Sequence, residues 1–127
     1  IDKIFHNLYL KKNYTISFPI KNKLVIDYIF INDAVIAVDF FLQKLVKDKF
    51  KHPFVNIGSG KGYKIEQIFN LIDKKKDIKK NYFKYKDKKY LLTSINLAKK
   101  YGWKPKYSLI QGIKITTQKY RNINSGI

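Results

Sequence analysis

At 127 residues, 45% hydrophobic and 16% aromatic, the chain is about one domain long with enough apolar surface for a packed core, which excludes an intrinsically disordered polymer. Cysteine is absent, excluding disulfides and thiolate metal sites, and His6 and His52 have no companion at ligand spacing. The formal net charge of +18 admits a polyanionic partner but equally a solvated lysine surface.

In chain order, Ile1, Ile4, Phe5 and Leu8 fall at helical spacing, predicting an amphipathic helix over residues 1–10. Asp2, Lys3, His6 and Asn7 interrupt it too often for a signal peptide. The opening at Ile1 and the lack of any methionine lead us to expect a fragment of a longer protein. Residues 14–18 read as extended up to Pro19, and the β-branched and aromatic run 24–31 as a strand. Asn32 and Asp33 offer N-cap side chains to a helix whose inner face is expected at Val35, Val38, Leu42 and Leu45 or Val46. Residues 54–57 read as a buried strand leading into Gly58-Ser59-Gly60-Lys61-Gly62. Ile65, Ile68, Phe69 and Ile72 then mark one face of a helix.

The lysine run 74–80 is expected to be a loop or a frayed helix end, and 82–85 an edge strand. Ser94 is placed to cap a short helix ending at Tyr101, with Gly102 in the left-handed position beyond it and Pro105 barring continuation. Ser108 is placed to cap a last helix burying Leu109, Ile113, Thr116 and Tyr120, with a tail fraying from Asn122. Alternating strands and helices make this an α/β chain. Several of its strands need partners from outside it. No apolar run approaches the ~20 residues of a membrane span.

No motif taken singly carries a function. The glycine-rich turn opening a helix could present amides to a phosphate, but Val55 stands where a Walker loop needs glycine and Tyr63 where a dinucleotide fingerprint needs one, so a tight structural turn competes. Tyr-x-x-x-Lys occurs at Tyr82 with Lys86 and at Tyr85 with Lys89; with ten tyrosines in a lysine-rich chain, about two chance matches are expected. Arg121 is the only arginine. Lysine shares AT-rich codons with the abundant Ile, Asn, Tyr and Phe, and arginine is the better tool for phosphate and base edges.

Three segments in order are more specific. Asp27-Tyr28-Ile29-Phe30-Ile31-Asn32-Asp33-Ala34-Val35 resembles the Arg-Asp-Phe-Ile-Tyr-Val-Asp-Asp-Val block of the extended short-chain dehydrogenase/reductases, the nucleotide-sugar epimerases and dehydratases. Phe54-Val55-Asn56-Ile57-Gly58-Ser59-Gly60 is similar to that family's Phe-Asn-Ile-Gly-Ser-Gly, and Tyr101-Gly102-Trp103-Lys104-Pro105 to its closing Leu-Gly-Trp-Lys-Pro. The resemblance covers nearly the whole chain.

The resemblance implies an α/β fold of helices and a few short strands, the C-terminal portion of a two-part enzyme whose N-terminal Rossmann half is missing here. That half would hold NAD or NADP and the catalytic Ser/Thr, Tyr and Lys. Residues 1–121 would be the substrate-binding part and 122–127 a frayed tail. Ile26, Asp27, Lys84 and Lys86 would bind a nucleoside diphosphate-sugar, and no catalytic, cofactor-binding or metal-binding residue is expected in this chain. Ile26 replaces the family's phosphate-binding arginine, and its second arginine falls in a stretch that here runs from Lys84 to Lys88. A lysine serves phosphate as a point charge, whereas isoleucine cannot. The family further implies the missing Rossmann part and a homodimer as partners, a cytoplasmic location and a place in cell-surface polysaccharide synthesis. Nucleic acid is expected to bind only non-specifically at low salt. The alternative is a basic, non-catalytic module for nucleic acid or anionic surfaces.

Overall fold

The computed structural model describes residues 15–19, 24–72, 79–83 and 89–124. In chain order the elements are β1 (Thr15–Pro19), β2 (Leu24–Asp27), α1 (Ile31–Val46), β3 (Gly62–Lys64), α2 (Ile65–Ile72), β4 (Lys79–Phe83), β5 (Lys89–Leu91), α3 (Asn96–Lys100) and α4 (Leu109–Asn124). The helix expected over 1–10 lies outside the described residues. β2 is the centre of a three-stranded sheet in the order β3-β2-β5, antiparallel to β3 and parallel to β5. β1 and β4 form a separate parallel pair. This mixture of short strands and helices is the α/β class expected from the sequence.

Two apolar clusters hold the helices. Ile68, Phe69 and Ile72 of α2 meet Ile113 and Tyr120 of α4, with Ile65 and Leu109 packed against them, so both helices bury the faces their periodicity marks. The second cluster joins Ala37 and Phe41 of α1 to Ile95, Ala98 and Trp103, with Val55 and Ile57 alongside. Tyr28 packs on the first cluster and its neighbour Ile29 on the second. This alternation continues the two-residue period of β2 beyond its last ladder pair.

Local chemistry sets the helix ends. The Gly102 amide donates to the Lys99 carbonyl (2.9 Å) and that of Trp103 to Ala98 (3.0 Å), with Gly102 at φ +94°; this is the Schellman closure, and it carries Trp103 back onto Ala98. At α4, Ser108 Oγ accepts from the Gln111 amide (3.3 Å) while Gln111 Oε1 accepts from the Ser108 amide (2.8 Å), a reciprocal capping box.

Several expectations are corrected. β2 stops at Asp27, and α1 starts at Ile31 behind Phe30, which caps without a side-chain bond. Asn32 and Asp33 therefore lie inside the first turn. Asp33 is 1% exposed, and its two oxygens accept from the Lys106 and Tyr107 amides at 2.9 Å each, tying α1 to the segment before α4. That tether fixes the rotation of α1: Ala37 and Phe41, one and two turns on from Asp33, face the core. The expected inner face points away, with Val35 61%, Val38 59%, Leu42 54%, Leu45 57% and Val46 85% exposed.

Residues 54–57 join no sheet among the described residues, because no described strand runs beside them. β3 and β5, each three residues long, carry too little pattern to be read beforehand. Lys79 and Lys80 belong to β4 rather than to a loop, and 84–85 of the expected edge strand lie outside the described residues. Ile95 rather than Ser94 precedes α3, with no side-chain cap. α4 continues past Asn122 to Asn124. No described helix is long and apolar enough to cross a membrane.

Candidate functional site

β2 delivers Ile26 and Asp27 to the place where the sheet meets the glycine loop. Ile26 is half-buried between Tyr63 of β3 and Leu91 of β5 in the ladder. Asp27 ends the strand, and its carboxylate gathers the loop: Oδ1 accepts from the Ser59 amide (2.9 Å) and from Ser59 Oγ, and Oδ2 accepts from the Gly60 amide (2.9 Å). Successive amides converging on one carboxylate form an anion nest whose anion is internal.

The loop needs glycine for two separate reasons. Gly60 sits at φ +70°, where a side chain clashes with the following carbonyl. At Gly58 a Cβ would lie 2.6 Å from Asp27 Oδ2 and 2.6 Å from Thr93 Cβ. The turn is thus a structural clamp between residues 58–60 and the end of β2. The amides that would cradle a pyrophosphate already face Asp27, and Tyr63 stands where the third glycine of a dinucleotide loop belongs. These residues do not fit a nicotinamide dinucleotide.

Of the residues singled out for substrate binding, the structure brings Ile26 and Asp27 together at one strand end; Lys84 and Lys86 lie outside the described residues. Next to Asp27 the chain enters a groove of about 610 Å³, whose lining includes Tyr28, Phe30 and Asn32 on one side and Tyr107, Thr116 and Lys119 on the other. Phe30 and Tyr107 stack with ring centroids 4.9 Å apart, held there by the Asp33 bond to the Tyr107 amide. Thr116 Oγ1 donates to the Gly112 carbonyl (2.8 Å). Burial raises the pKa of the Tyr28 hydroxyl above its ordinary value, so it remains a proton donor at neutral pH. The groove pairs aromatic faces with a few hydrogen-bonding groups and one lysine, a lining suited to a partly apolar ligand with an anionic end.

The sequence had assigned these residues to a strand, a cap and a core face. Nothing local signals that they converge, because β2's exit and α4 meet only through the two clusters and the Asp33 tether. Among the described residues no three of His, Asp or Glu lie close enough to hold a metal ion.

No protein-family model and no curated protein matches the chain. Solved structures do. The UDP-glucose 4-epimerase of Thermotoga maritima, determined with UDP-glucose, superposes with a TM-score of 0.76 over 95% of this chain at 24% identity. The dTDP-glucose 4,6-dehydratase of Bacillus anthracis, in complex with NAD, gives 0.68 over 97% at 24% identity. The GDP-mannoheptose C4 reductase of Campylobacter jejuni, with NADP bound, gives 0.63 over 94% at 22% identity. The chain spans only 38%, 39% and 36% of those proteins, respectively. Likeness at this identity establishes the fold, and the three-segment resemblance in the sequence points to the same place: this chain has the fold of the C-terminal part of the extended short-chain dehydrogenase/reductases.

Proposed function

We propose that the chain is the sugar-nucleotide-binding part of an NAD(P)-dependent nucleotide-sugar epimerase, dehydratase or reductase. The observation that carries this reading is the superposition on the epimerase determined with UDP-glucose over 95% of the chain, together with the in-order motifs around Asp27, Gly58 and Trp103. Hydride transfer requires a nicotinamide carbon held against the sugar. In this reading NAD or NADP belongs to a separate cofactor-binding part, and the present residues position the substrate. The diphosphate lies near the end of β2, beside Ile26 and Asp27, with Lys84 and Lys86 supplying point charges. Asp27 contributes by holding the glycine loop in place. The setting is cytoplasmic, on a route to cell-surface polysaccharide.

The test uses the chain reassembled with a cofactor-binding part and calorimetric titration with UDP, dTDP and GDP. Ile26→Arg restores a guanidinium where the family carries one and should tighten diphosphate binding by about 1–3 kcal/mol, the range for hydrogen bonds to charged groups. Lys84→Ala and Lys86→Ala should weaken it. A folded Ile26→Arg variant with unchanged affinity for all three nucleotides overturns the reading.

A further inference from the structure

α1 has two apolar faces and the chain covers one of them. Asp33, Ala37 and Phe41 are buried. Ile31, Val35, Val38, Leu42, Leu45 and Val46 recur at helical spacing on the other side and are 66%, 61%, 59%, 54%, 57% and 85% exposed. Exposed apolar stripes of this continuity mark contact surfaces.

A second feature lies just after the helix. Residues 54–57 have the composition of a buried strand, and Val55 and Ile57 pack into the α1 cluster. Phe54, however, is 71% exposed, and no backbone–backbone hydrogen bond reaches the segment among the described residues. An apolar extended segment with open backbone groups is a strand awaiting a neighbour.

The two features together select the occupant. A second copy could cover the stripe by pairing helices, but α1 has 16 residues, about 24 Å of helix roughly 10 Å across, a footprint of about 240 Å². Stable interfaces bury about 800 Å² per partner, and each copy carries a net charge of +18, which opposes self-association. Helix pairing would also leave 54–57 unpaired. The edge of an α/β sheet answers both features, since it supplies a strand for 54–57 and an apolar layer for the stripe. All three solved structures carry this chain's fold alongside a larger remainder of polypeptide.

We propose that the outward face of α1 and residues 54–57 form one docking surface for the cofactor-binding α/β part of a nucleotide-sugar enzyme, with 54–57 adding a strand to its sheet. This rests on the function proposed above and specifies where that partner sits.

Because the chain has no cysteine, Val38→Cys, Leu42→Cys and, as a control, Lys51→Cys each introduce a unique thiol. The probe is the cofactor-binding part of the Thermotoga maritima epimerase, supplied both in trans and fused ahead of this chain. Thiol labelling at positions 38 and 42 and amide exchange at 55–57 should slow about tenfold or more on docking, with labelling at position 51 unchanged. Unchanged rates in both formats overturn the proposal. So does equal protection of the chain alone at rising concentration with sedimentation as a dimer, which makes a second copy the occupant. Calorimetry with UDP on the same fusion separates the two readings: protection without UDP binding overturns the substrate role only, and UDP binding without protection overturns the docking surface only.

Discussion

α2 and α1 carry similar apolar stripes and meet opposite fates. In α2 the stripe read from the sequence is the stripe the fold buries, with Ile68, Phe69 and Ile72 at 0%, 4% and 7% exposure. In α1 the corresponding stripe is outside, and the buried face consists of Ala37, Phe41 and an aspartate. The difference lies in what competes for each helix. α2 has one apolar face and a single surface to meet, α4. α1 has two apolar faces and only enough neighbouring chain for one. The face carrying Ala37 wins because a methyl side chain allows close approach to the Ala98 and Trp103 cluster, and because Asp33, bonded to two amides, fixes the helix's rotation. Periodicity therefore reports that a face exists, and tertiary bonds decide which face turns inward.

Urea unfolding of the chain is the direct way to break this comparison. Trp103→Ala, at the centre of the cluster that α1 joins, should cost about 3–5 kcal/mol as a large-to-small core change. A loss below about 1 kcal/mol would mean that α1 is barely held to the rest, contrary to the buried face described here.

Asp33→Ala tests the tether itself. Losing the carboxylate that accepts from the Lys106 and Tyr107 amides should cost about 1.5–3 kcal/mol, and Asp33→Asn, which keeps one acceptor oxygen, should cost less. Equal losses for the two variants would assign the effect to packing or helix-end charge rather than to the paired bonds.

The smallest expected effect is the most informative. Leu42→Ser on the outward stripe should change the stability of the free chain by no more than about 0.5 kcal/mol, as at an ordinary surface position. A loss above about 2 kcal/mol would show that the stripe is buried in solution and that α1 is rotated from the position described.

Much of the candidate site was legible before any coordinates. The order of the segments around Asp27, Gly58 and Trp103 pointed to the fold. Gly102 and Ser108 ended and began their helices as read, because caps depend on residues within a few positions of one another. Asp27 was marked as important, although its bonds to Ser59 and Gly60 span about thirty residues and leave no trace in local pattern. The groove beside Tyr28 and Tyr107 was not legible at all, since its walls come from segments that periodicity assigns to separate elements.

Local sequence thus determined the helix faces that have a single partner, the caps and the strained glycine turn, because each is settled by side chains and dihedral preferences a few residues apart. Only the tertiary structure decided the rotation of α1, the internal anion in the glycine loop and the unpaired state of residues 54–57. Each of these depends on which distant group arrives first in reach of a hydrogen bond or an apolar surface, and in this chain some of those groups are absent.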